Sequence, residues 1–235
     1  MRLTDLTMPL YEGMGTGYQH RSLEGGDLWD TQVKIRKGWN YETHGRSIWS
    51  INVFLESGTR LVLASFQGQF KDSPRIHQVM TKYFMRDAVI LDIPKGAEEV
   101  VTAEDVERAY SKVPAQKGDA IMVRTGWGDN ERYLKMGRDY HIRTPHYINK
   151  SAQKIGEIME SLGSDLFLYD TSNMIGLNPE TGEREGLLPF RPHWAMLGGL
   201  VNCGAIQKQR VKIAALPFKV LDAGISLCSV VAVEE

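Results

Sequence analysis

A carboxylate and a guanidinium lie on the same face of a predicted extended segment. Residues Ile48–Leu63 alternate in character, which predicts two short strands or one strand bent at Gly58. In this pattern Glu56, Arg60 and Val62 share one parity. An arginine held in place can bind a carboxylate through two hydrogen bonds or stabilise a developing oxyanion. The simpler alternative is a structural Glu56–Arg60 ion pair that does no chemistry.

The ordinary pKa of histidine suits proton transfer near neutral pH, and the chain has six histidines. His193 lies close in sequence to Cys203, so the two could form a base and a nucleophile, although a buried and inert cysteine is commoner. His44 lies in an aromatic stretch where it could contact a substrate. Asp170 ends the apolar run LFLYD, where it could orient a histidine or bind substrate.

The composition excludes several classes of protein. The chain has 235 residues, 42% hydrophobic and 24% charged, which suits a globular fold without a disulfide framework. Its 28 basic and 29 acidic residues nearly cancel, so we expect no nucleic-acid or membrane-surface partner. With two cysteines, no signal-peptide-like start and no apolar run near the roughly 20 residues of a membrane span, we expect a cytoplasmic protein.

Helices and apolar strands alternate through the second half of the sequence, which predicts a single α/β domain over residues 1–235. A near capping box at Thr102 predicts the start of a helix, and Gly163 predicts the end of another that begins at Asn149 or Ser151. The segment His193–Leu200 is predicted as a short helix. The other predictions are a helix opened by Pro74, with the apolar stripe Ile76, Val79, Met80 and Tyr83, and strands at Ala88–Ile93, Gly118–Thr125, Leu166–Asp170, Val211–Ala215 and Ile225–Val233.

The first 50 residues are rich in glycine and aromatic side chains, including Tyr18, Trp29, Trp39 and Trp49. This composition predicts a loop-rich segment. Such a segment either covers the site as a lid over substrate or simply wraps the surface.

Several stretches, taken in order, resemble the cyclase family of metal-dependent hydrolases, which includes bacterial kynurenine formamidase and isatin hydrolase. GDAIMVRTGW at 118–127 is similar to that family's GDxVLxRTGW and is the most specific of these stretches. The others are DLTMPLYEGM at 5–14, AVILDIP at 88–94, VTAEDVE at 101–107, YDTSNMIG at 169–176, RPHWAMLGGLVNCGAIQ at 191–207 and ALPFKV at 215–220.

The resemblance implies a mixed β-sheet with flanking helices, of the swivelling β/β/α type, usually assembled as homodimers or homotetramers. It also implies hydrolysis of an amide, formamide or lactam through a divalent metal, often zinc or manganese. The family's signature for that metal is H-x-G-T-H-x-D-x-P-x-H. Ligands at the first, fifth and seventh positions share parity, so one strand face aims all three at one ion.

This chain departs from the signature at most of its chemical positions. The signature aligns with residues 56–66, so that Glu56 and Arg60 replace two histidines, Val62 replaces the aspartate and Phe66 replaces the last histidine. Guanidinium stays protonated and repels a cation, and valine and phenylalanine donate no electron pair. We therefore expect no metal and no other cofactor. The alternative is a shifted metal site that uses Glu56, His193 and a further residue such as His44 or His77.

The late histidine of the family has a match in His193, and its later glutamate is replaced by Gln207. We predict His193 as acid/base and Arg60, beside Glu56, as electrostatic stabiliser. The residues predicted to bind substrate are Asp170, Gln207, His44 and Phe66.

Three functions remain open. The first is an enzyme that acts without a metal on a small amide, lactone or hydroxy-carbonyl compound by hydrolysis, cyclisation or dehydration. The second is a non-catalytic relative that binds a small ligand or serves as an oligomer partner. The third is a metal-dependent amidohydrolase with unusual ligands.

Overall fold

The computed structural model describes residues 1–14, 33–66, 70–79, 81–177 and 181–235. The strands are β1 (Arg2–Asp5), β2 (Lys34–Trp39), β3 (Ile48–Asn52), β4 (Arg60–Leu63), β5 (Met85–Asp92), β6 (Val100–Val101), β7 (Ala120–Arg124), β8 (His146–Tyr147), β9 (Leu166–Tyr169), β10 (Gly176–Leu177), β11 (Arg184–Glu185), β12 (Ala195–Gly198), β13 (Arg210–Pro217) and β14 (Ile225–Glu234). The helices are α1 (Tyr41–His44), α2 (Ile76–Val79), α3 (Ala103–Tyr110), α4 (Arg132–Met136), α5 (Arg138–Ile142) and α6 (Asn149–Leu162).

The strands from the apolar runs assemble into one mixed sheet. Within the described residues its order is β1-β14-β13-β5-β7-β9-β12-β4, and β14 also pairs with β4 through Ile225–Leu227. Seven of these strands therefore close into a barrel, and β1 extends β14. β5, β7, β9 and β12 run parallel to one another, while β4 and β13 are antiparallel to their neighbours. The predicted α/β fold with a mixed sheet and flanking helices is confirmed.

Alternate residues of the barrel strands contribute to two hydrophobic cores, one inside the barrel and one outside it. On β4, Leu61 and Leu63 face the barrel interior, and Val62 belongs to the outer core. On β12, Leu197 faces the interior and Met196 the outside. The outer core lies under α3 and α6, because successive side chains of a strand point to opposite faces of the sheet.

The two long helices that cover the outer core begin and end where their sequence signals lie. Thr102 and Asp105 form a complete capping box at the start of α3, which confirms that prediction. α6 starts at Asn149 and ends at Leu162, and Gly163 directly after it adopts the left-handed conformation common at a helix C-terminus.

Two predicted helices differ in the structure. The segment His193–Leu200 was predicted as a helix, and this is wrong, because Ala195–Gly198 forms β12 between β9 and β4. The pairing partners on both sides override the local helical pattern. α2 is a single turn that ends at Val79, although Ile76, Val79 and Tyr83 are buried as the stripe predicts. Met80 lies outside the described residues.

Within the described ranges, the first 50 residues contribute β1, β2, α1 and the start of β3. β1 lies on β14, and β2 pairs with β3 in a hairpin whose β3 residues are all exposed. Tyr18 and Trp29 of the predicted cover lie outside the described residues. Of the helices in the described ranges, none has the length and hydropathy to cross a bilayer.

Candidate active site

The turn before β4 is fixed by buried hydrogen bonds to two other parts of the chain. The Thr59 hydroxyl accepts from the backbone N–H of Met8 at 2.8 Å and donates to the carbonyl of Gly199 at 2.7 Å. This threonine belongs to the Gly-Thr centre retained from the family signature. It ties the turn to the N-terminal segment and to the end of β12, so the next residue enters β4 at a set position.

That next residue, Arg60, has a buried side chain held by backbone carbonyls. Its Nη1 donates to the carbonyl of Gly58 at 2.9 Å, and its Nη2 donates to the carbonyl of Ser172 at 2.8 Å. Gly199 lies beside this pair with φ +69°, and a Cβ there would lie 2.4 Å from the Gly58 oxygen and 3.2 Å from Nη1. The guanidinium therefore occupies a backbone cradle that requires glycine at 199.

The Ser172 end of the cradle is itself anchored. The backbone N–H of Ser172 donates to the Thr144 hydroxyl at 3.1 Å, and the Ser172 hydroxyl lies 2.6 Å from Nδ1 of His141. All three residues are buried. The carbonyl that receives the Arg60 hydrogen bond is thus fixed by two side chains outside the strand.

A cleft opens on the outer face of β4, and four signature positions converge there. Glu56, Arg60, Val62 and Phe66 all line it. The other lining residues are Tyr169, Asn173, Met174, Ile175, Leu187, Met196 and Ile225. The cleft holds about 40 Å³ of space and is lined by both apolar and polar side chains.

Glu56 is partly buried at this cleft, and its charge interacts with that of Arg60. Burial raises the pKa of Glu56, and the nearby Arg60 charge lowers it by less. The predicted Glu56–Arg60 ion pair does not form: in the described structure Arg60 donates to backbone carbonyls instead. Glu56 therefore keeps a carboxyl group that is available to the cleft.

Tyr169 forms one wall of the cleft and is almost fully buried. Burial raises the pKa of its phenol, an effect that the charge of Arg60 opposes and that of Glu56 reinforces. Its ring stacks on Phe167 at 5.7 Å and lies over Gly198, where an added Cβ would fall 2.2 Å from the phenol oxygen. The phenol is a neutral donor at physiological pH.

The residues at the family's metal position do not fit a divalent cation. Glu56 offers one carboxylate, Arg60 brings a positive charge, and Val62 and Phe66 offer no electron pair. No cluster of three or more histidine, cysteine, aspartate or glutamate side chains suited to a metal occurs within the described ranges. The alternative ligands are also dispersed: His44 stacks on Trp39 at 5.2 Å, and Nδ1 of His77 accepts from the N–H of Asp222.

The structure does not bring His193 to this cleft. His193 lies two residues before Ala195, the first residue of β12, and so has the same parity as Ala195. Met196, which lines the Arg60 cleft, has the opposite parity. The side chain is exposed and borders a separate groove lined by Phe70, Asp72, Ser73, Pro74 and Pro192. The backbone carbonyl of His193 accepts from Nζ of Lys82 and Oη of Tyr83.

Asp170 is completely buried behind the cleft rather than in it. Its carboxylate accepts hydrogen bonds of 2.7–2.9 Å from the N–H and hydroxyl of Thr125 and the N–H of Gly126. Burial raises its pKa to about 6, against the opposing effect of these hydrogen bonds. Asp170 joins the ends of β7 and β9, so its role in this geometry is to hold the loop that follows Tyr169.

Of the other residues considered in the sequence analysis, Phe66 lies at the cleft, whereas Gln207 and Cys203 do not line it. Phe66 lines the cleft and is partly exposed. Gln207 is exposed, and its backbone N–H donates to Glu234, away from the cleft. Cys203 is buried and burial raises the pKa of its thiol well above the ordinary value, so it remains a protonated thiol.

Sequence reasoning missed Tyr169, Ser172 and Asn173. The alternation of a strand ending at Asp170 would have placed Tyr169 on the opposite face from Asp170. Ser172 acts through its backbone carbonyl, for which the sequence offers no signal.

The Cyclase family model, described as "Putative cyclase", matches residues 4–171. The chain belongs to the Cyclase family. No curated protein sequence matches this cyclase-family chain. Among solved structures, it is similar to isatin hydrolase A from Labrenzia aggregata bound to benzyl benzoate, with 19% identity, a TM-score of 0.79 and coverage of 100% of this chain and 94% of that one.

Two further structures share the fold of this cyclase-family chain. Isatin hydrolase A from Ralstonia solanacearum has 17% identity and a TM-score of 0.72, with 99% of this chain and 92% of that one covered. A predicted metal-dependent hydrolase from Bacillus stearothermophilus has 14% identity and a TM-score of 0.69, with 98% and 97% covered. At these identities the likeness establishes the fold.

Proposed function

We propose that this cyclase-family chain hydrolyses a small carbonyl compound, such as an ester, lactone or activated amide, in the Glu56–Arg60 cleft without a metal held by side chains. The observation that supports this most is that a partly buried carboxyl group and a guanidinium held by backbone carbonyls line the same cleft. The family membership and the isatin hydrolases among the structural neighbours favour hydrolysis as the reaction class.

Glu56 is the proposed acid/base of this reaction. As carboxylate it takes a proton from water while the water oxygen bonds to the substrate carbonyl carbon. When the bond to the leaving oxygen or nitrogen breaks, Glu56 returns that proton to the leaving group. Burial raises the pKa of Glu56, which brings it closer to the neutral range where one group can serve as both base and acid. His193, on the opposite parity, is not needed for this cycle.

Arg60 is the proposed stabiliser of the oxyanion that forms when water adds. Two of its five N–H groups donate to the carbonyls of Gly58 and Ser172, which leaves donors for the cleft. Because the cradle fixes the guanidinium before the reaction starts, little reorganisation is required as charge develops.

The rate enhancement that these two groups can provide limits how unreactive the substrate can be. A general base contributes about 10²–10⁴-fold and one oxyanion donor about 10²–10³-fold. Together these suffice for esters, strained lactones and activated amides. An unactivated amide needs a stronger nucleophile than water assisted by a carboxylate.

The test is a hydrolysis screen of small esters, lactones and amides with chelator-treated protein, comparing wild type with Glu56→Gln and His193→Ala. We expect turnover that chelation does not reduce, that Glu56→Gln lowers about 10²–10⁴-fold and that His193→Ala retains. Loss of activity in His193→Ala with activity kept in Glu56→Gln would return the acid/base role to the histidine. Full dependence on added zinc or manganese would restore a metal-dependent amidohydrolase.

A non-catalytic ligand-binding role is the second candidate. It is supported by the same cradle, because two Arg60 donors are bonded to backbone and the cleft is small. Ligand binding without turnover of any compound in the screen would favour it.

A further inference from the structure

We propose that the cleft binds a short-chain aliphatic monocarboxylate of roughly two to four carbons, paired with Arg60, and that each binding event adds one proton to Glu56. This inference rests on the proposed function only in taking the same cleft as the site. Such an acid is the product expected from a short-chain ester or amide, and a lactone would give its hydroxy derivative, so the inference also defines the acyl part of the substrate.

The small size of the cleft favours a short ligand. Its interior space of about 40 Å³ is roughly three times the 10–15 Å³ that one ordered water requires, which is enough for a carboxylate group with a short alkyl tail. The lining includes the aliphatic and thioether side chains of Val62, Ile175, Met196 and Ile225. They match the short alkyl tail of an ion from acetate to butyrate.

The charges of the cleft favour a carboxylate head. Arg60 keeps N–H donors beyond the two bonded to backbone carbonyls, and guanidinium matches the two oxygens of a carboxylate. Asn173 also lines the cleft, and because its Oδ1 accepts from the N–H of Ile175, its Nδ2 group remains as a second donor.

Uptake of a proton by Glu56 follows from the balance of charges in the cleft. Among the described lining residues, those that titrate are Glu56, Arg60 and Tyr169. Tyr169 stays neutral, because burial raises its pKa. A bound carboxylate beside ionised Glu56 would leave two negative charges against one positive in a partly buried site, which is unfavourable. Protonated Glu56 instead donates a hydrogen bond to the ligand, and burial already raises its pKa toward that form.

The experiment is titration calorimetry of wild-type protein with propionate, between about pH 5 and about pH 8, in two buffers of different ionisation enthalpy. We expect proton uptake that approaches one per propionate above the pKa of Glu56, with Kd rising up to about tenfold per pH unit. Propionamide, which has the same shape and no charge, should show no uptake and weaker binding.

Variants of Glu56 and Arg60, with Glu157→Gln as a control, assign the proton uptake and the carboxylate binding to these two side chains. Glu56→Gln should bind propionate with a Kd that no longer depends on pH, while Glu157→Gln, an exposed carboxylate on α6, should behave as wild type. Arg60→Lys should weaken propionate binding more than propionamide binding. If the Arg60 variant does not fold, the wild-type comparison in two buffers decides alone.

The proposal is overturned if propionate fails to bind, binds without proton uptake, or binds no better than propionamide. Proton-coupled propionate binding without turnover of any ester, lactone or amide would leave this inference standing and reject the proposed hydrolysis. Turnover by a protein whose carboxylate product binds without proton uptake would reject this inference alone.

Discussion

The phenol of Tyr169 lies directly over Gly198, where an added Cβ would come 2.2 Å from its oxygen and 2.7 Å from a ring carbon. Gly198 faces Arg60 across the β12–β4 pair, so this contact places the tyrosine next to the cradle. The position of the Tyr169 wall thus depends on Gly198, which does not itself line the cleft.

The first prediction concerns that contact. Gly198→Ala should displace the Tyr169 ring, reduce ligand binding in the cleft and lower the free energy of unfolding by about 1–3 kcal/mol through overpacking. Urea denaturation and propionate titration measure the two effects. Gly96→Ala is the matched control, because a Cβ there meets an exposed Glu99 side chain at 3.4 Å. Equal behaviour of the two variants would contradict the packing argument.

The second prediction concerns the charge coupling between Arg60 and Glu56. The Arg60 charge lowers the pKa of Glu56, so removing it in Arg60→Gln should raise that pKa further. Carboxyl ¹³C NMR of glutamate-labelled protein measures the shift directly and needs no substrate. Arg191→Gln, which removes an exposed partner of Glu160, is the control and should leave Glu56 unchanged. An unaltered pKa in Arg60→Gln would show that the two groups are not coupled.

The third prediction is the pH dependence of hydrolysis. Because Glu56 must be ionised to act as base, kcat/KM should fall as the pH drops through its pKa, which burial raises above that of ordinary glutamate. Product inhibition by the carboxylate should change in the opposite direction and strengthen at low pH. Steady-state kinetics over a pH series tests both. A rate limb that follows an ordinary histidine pKa and disappears in His193→Ala would contradict this assignment.

The fourth prediction concerns Asp170. Its pKa is about 6 in the folded protein and about 4 in an unfolded chain, so the folded state holds more protons between these values. Its contribution to stability is therefore present below about pH 4 and is lost as the pH rises to about 6, by roughly 3 kcal/mol. The amide of Asp170→Asn does not titrate, so wild type should lose stability relative to this variant as the pH rises over that range. A difference in unfolding free energy independent of pH would show that the carboxyl is not perturbed.

The fifth prediction concerns the assembly, which we propose to be a homodimer or homotetramer. Trp39, Ile48, Trp49 and Ile51 are large apolar residues exposed on the β2–β3 hairpin, and a two-stranded hairpin is marginal when isolated. Light scattering should show an oligomer for wild type and a smaller species for the double variant Trp49→Ser, Ile51→Ser. Leu221→Ser, which alters an exposed residue elsewhere, should keep the wild-type mass. A monomeric wild type would reject the proposal.

The sequence predicts the parts of the fold whose signals are local. The capping box at Thr102, the stop at Gly163 and the apolar runs of β5, β7 and β9 all lie where periodicity places them. β12 was missed because a four-residue buried strand between two partners has no periodicity that distinguishes it from a helix.

The site is predictable to the extent that it follows one stretch of the chain. Glu56, Arg60 and Phe66 all reach the cleft, but Arg60 alone of the three lies on β4, since Glu56 is in the turn before this strand and Phe66 is in a short helical turn after it. His193 was predicted from its match to the late histidine of the family, and the parity of β12 places it on the other face of the sheet. The Arg60 cradle consists of the backbone carbonyls of Gly58, in the turn before β4, and of Ser172, in a loop distant in sequence, and no pattern of side chains reveals this arrangement.

The pairing of β1 with β14 joins segments at opposite ends of the described chain: Arg2 lies opposite Glu234, 232 positions later. β14 also closes the barrel against β4, which carries Arg60. A nascent chain that has not yet produced residue 225 thus has two open sheet edges, and such edges invite pairing with other chains. Folding of this protein should accordingly be slow and concerted, and its vulnerability to aggregation should be greatest while it is being synthesised.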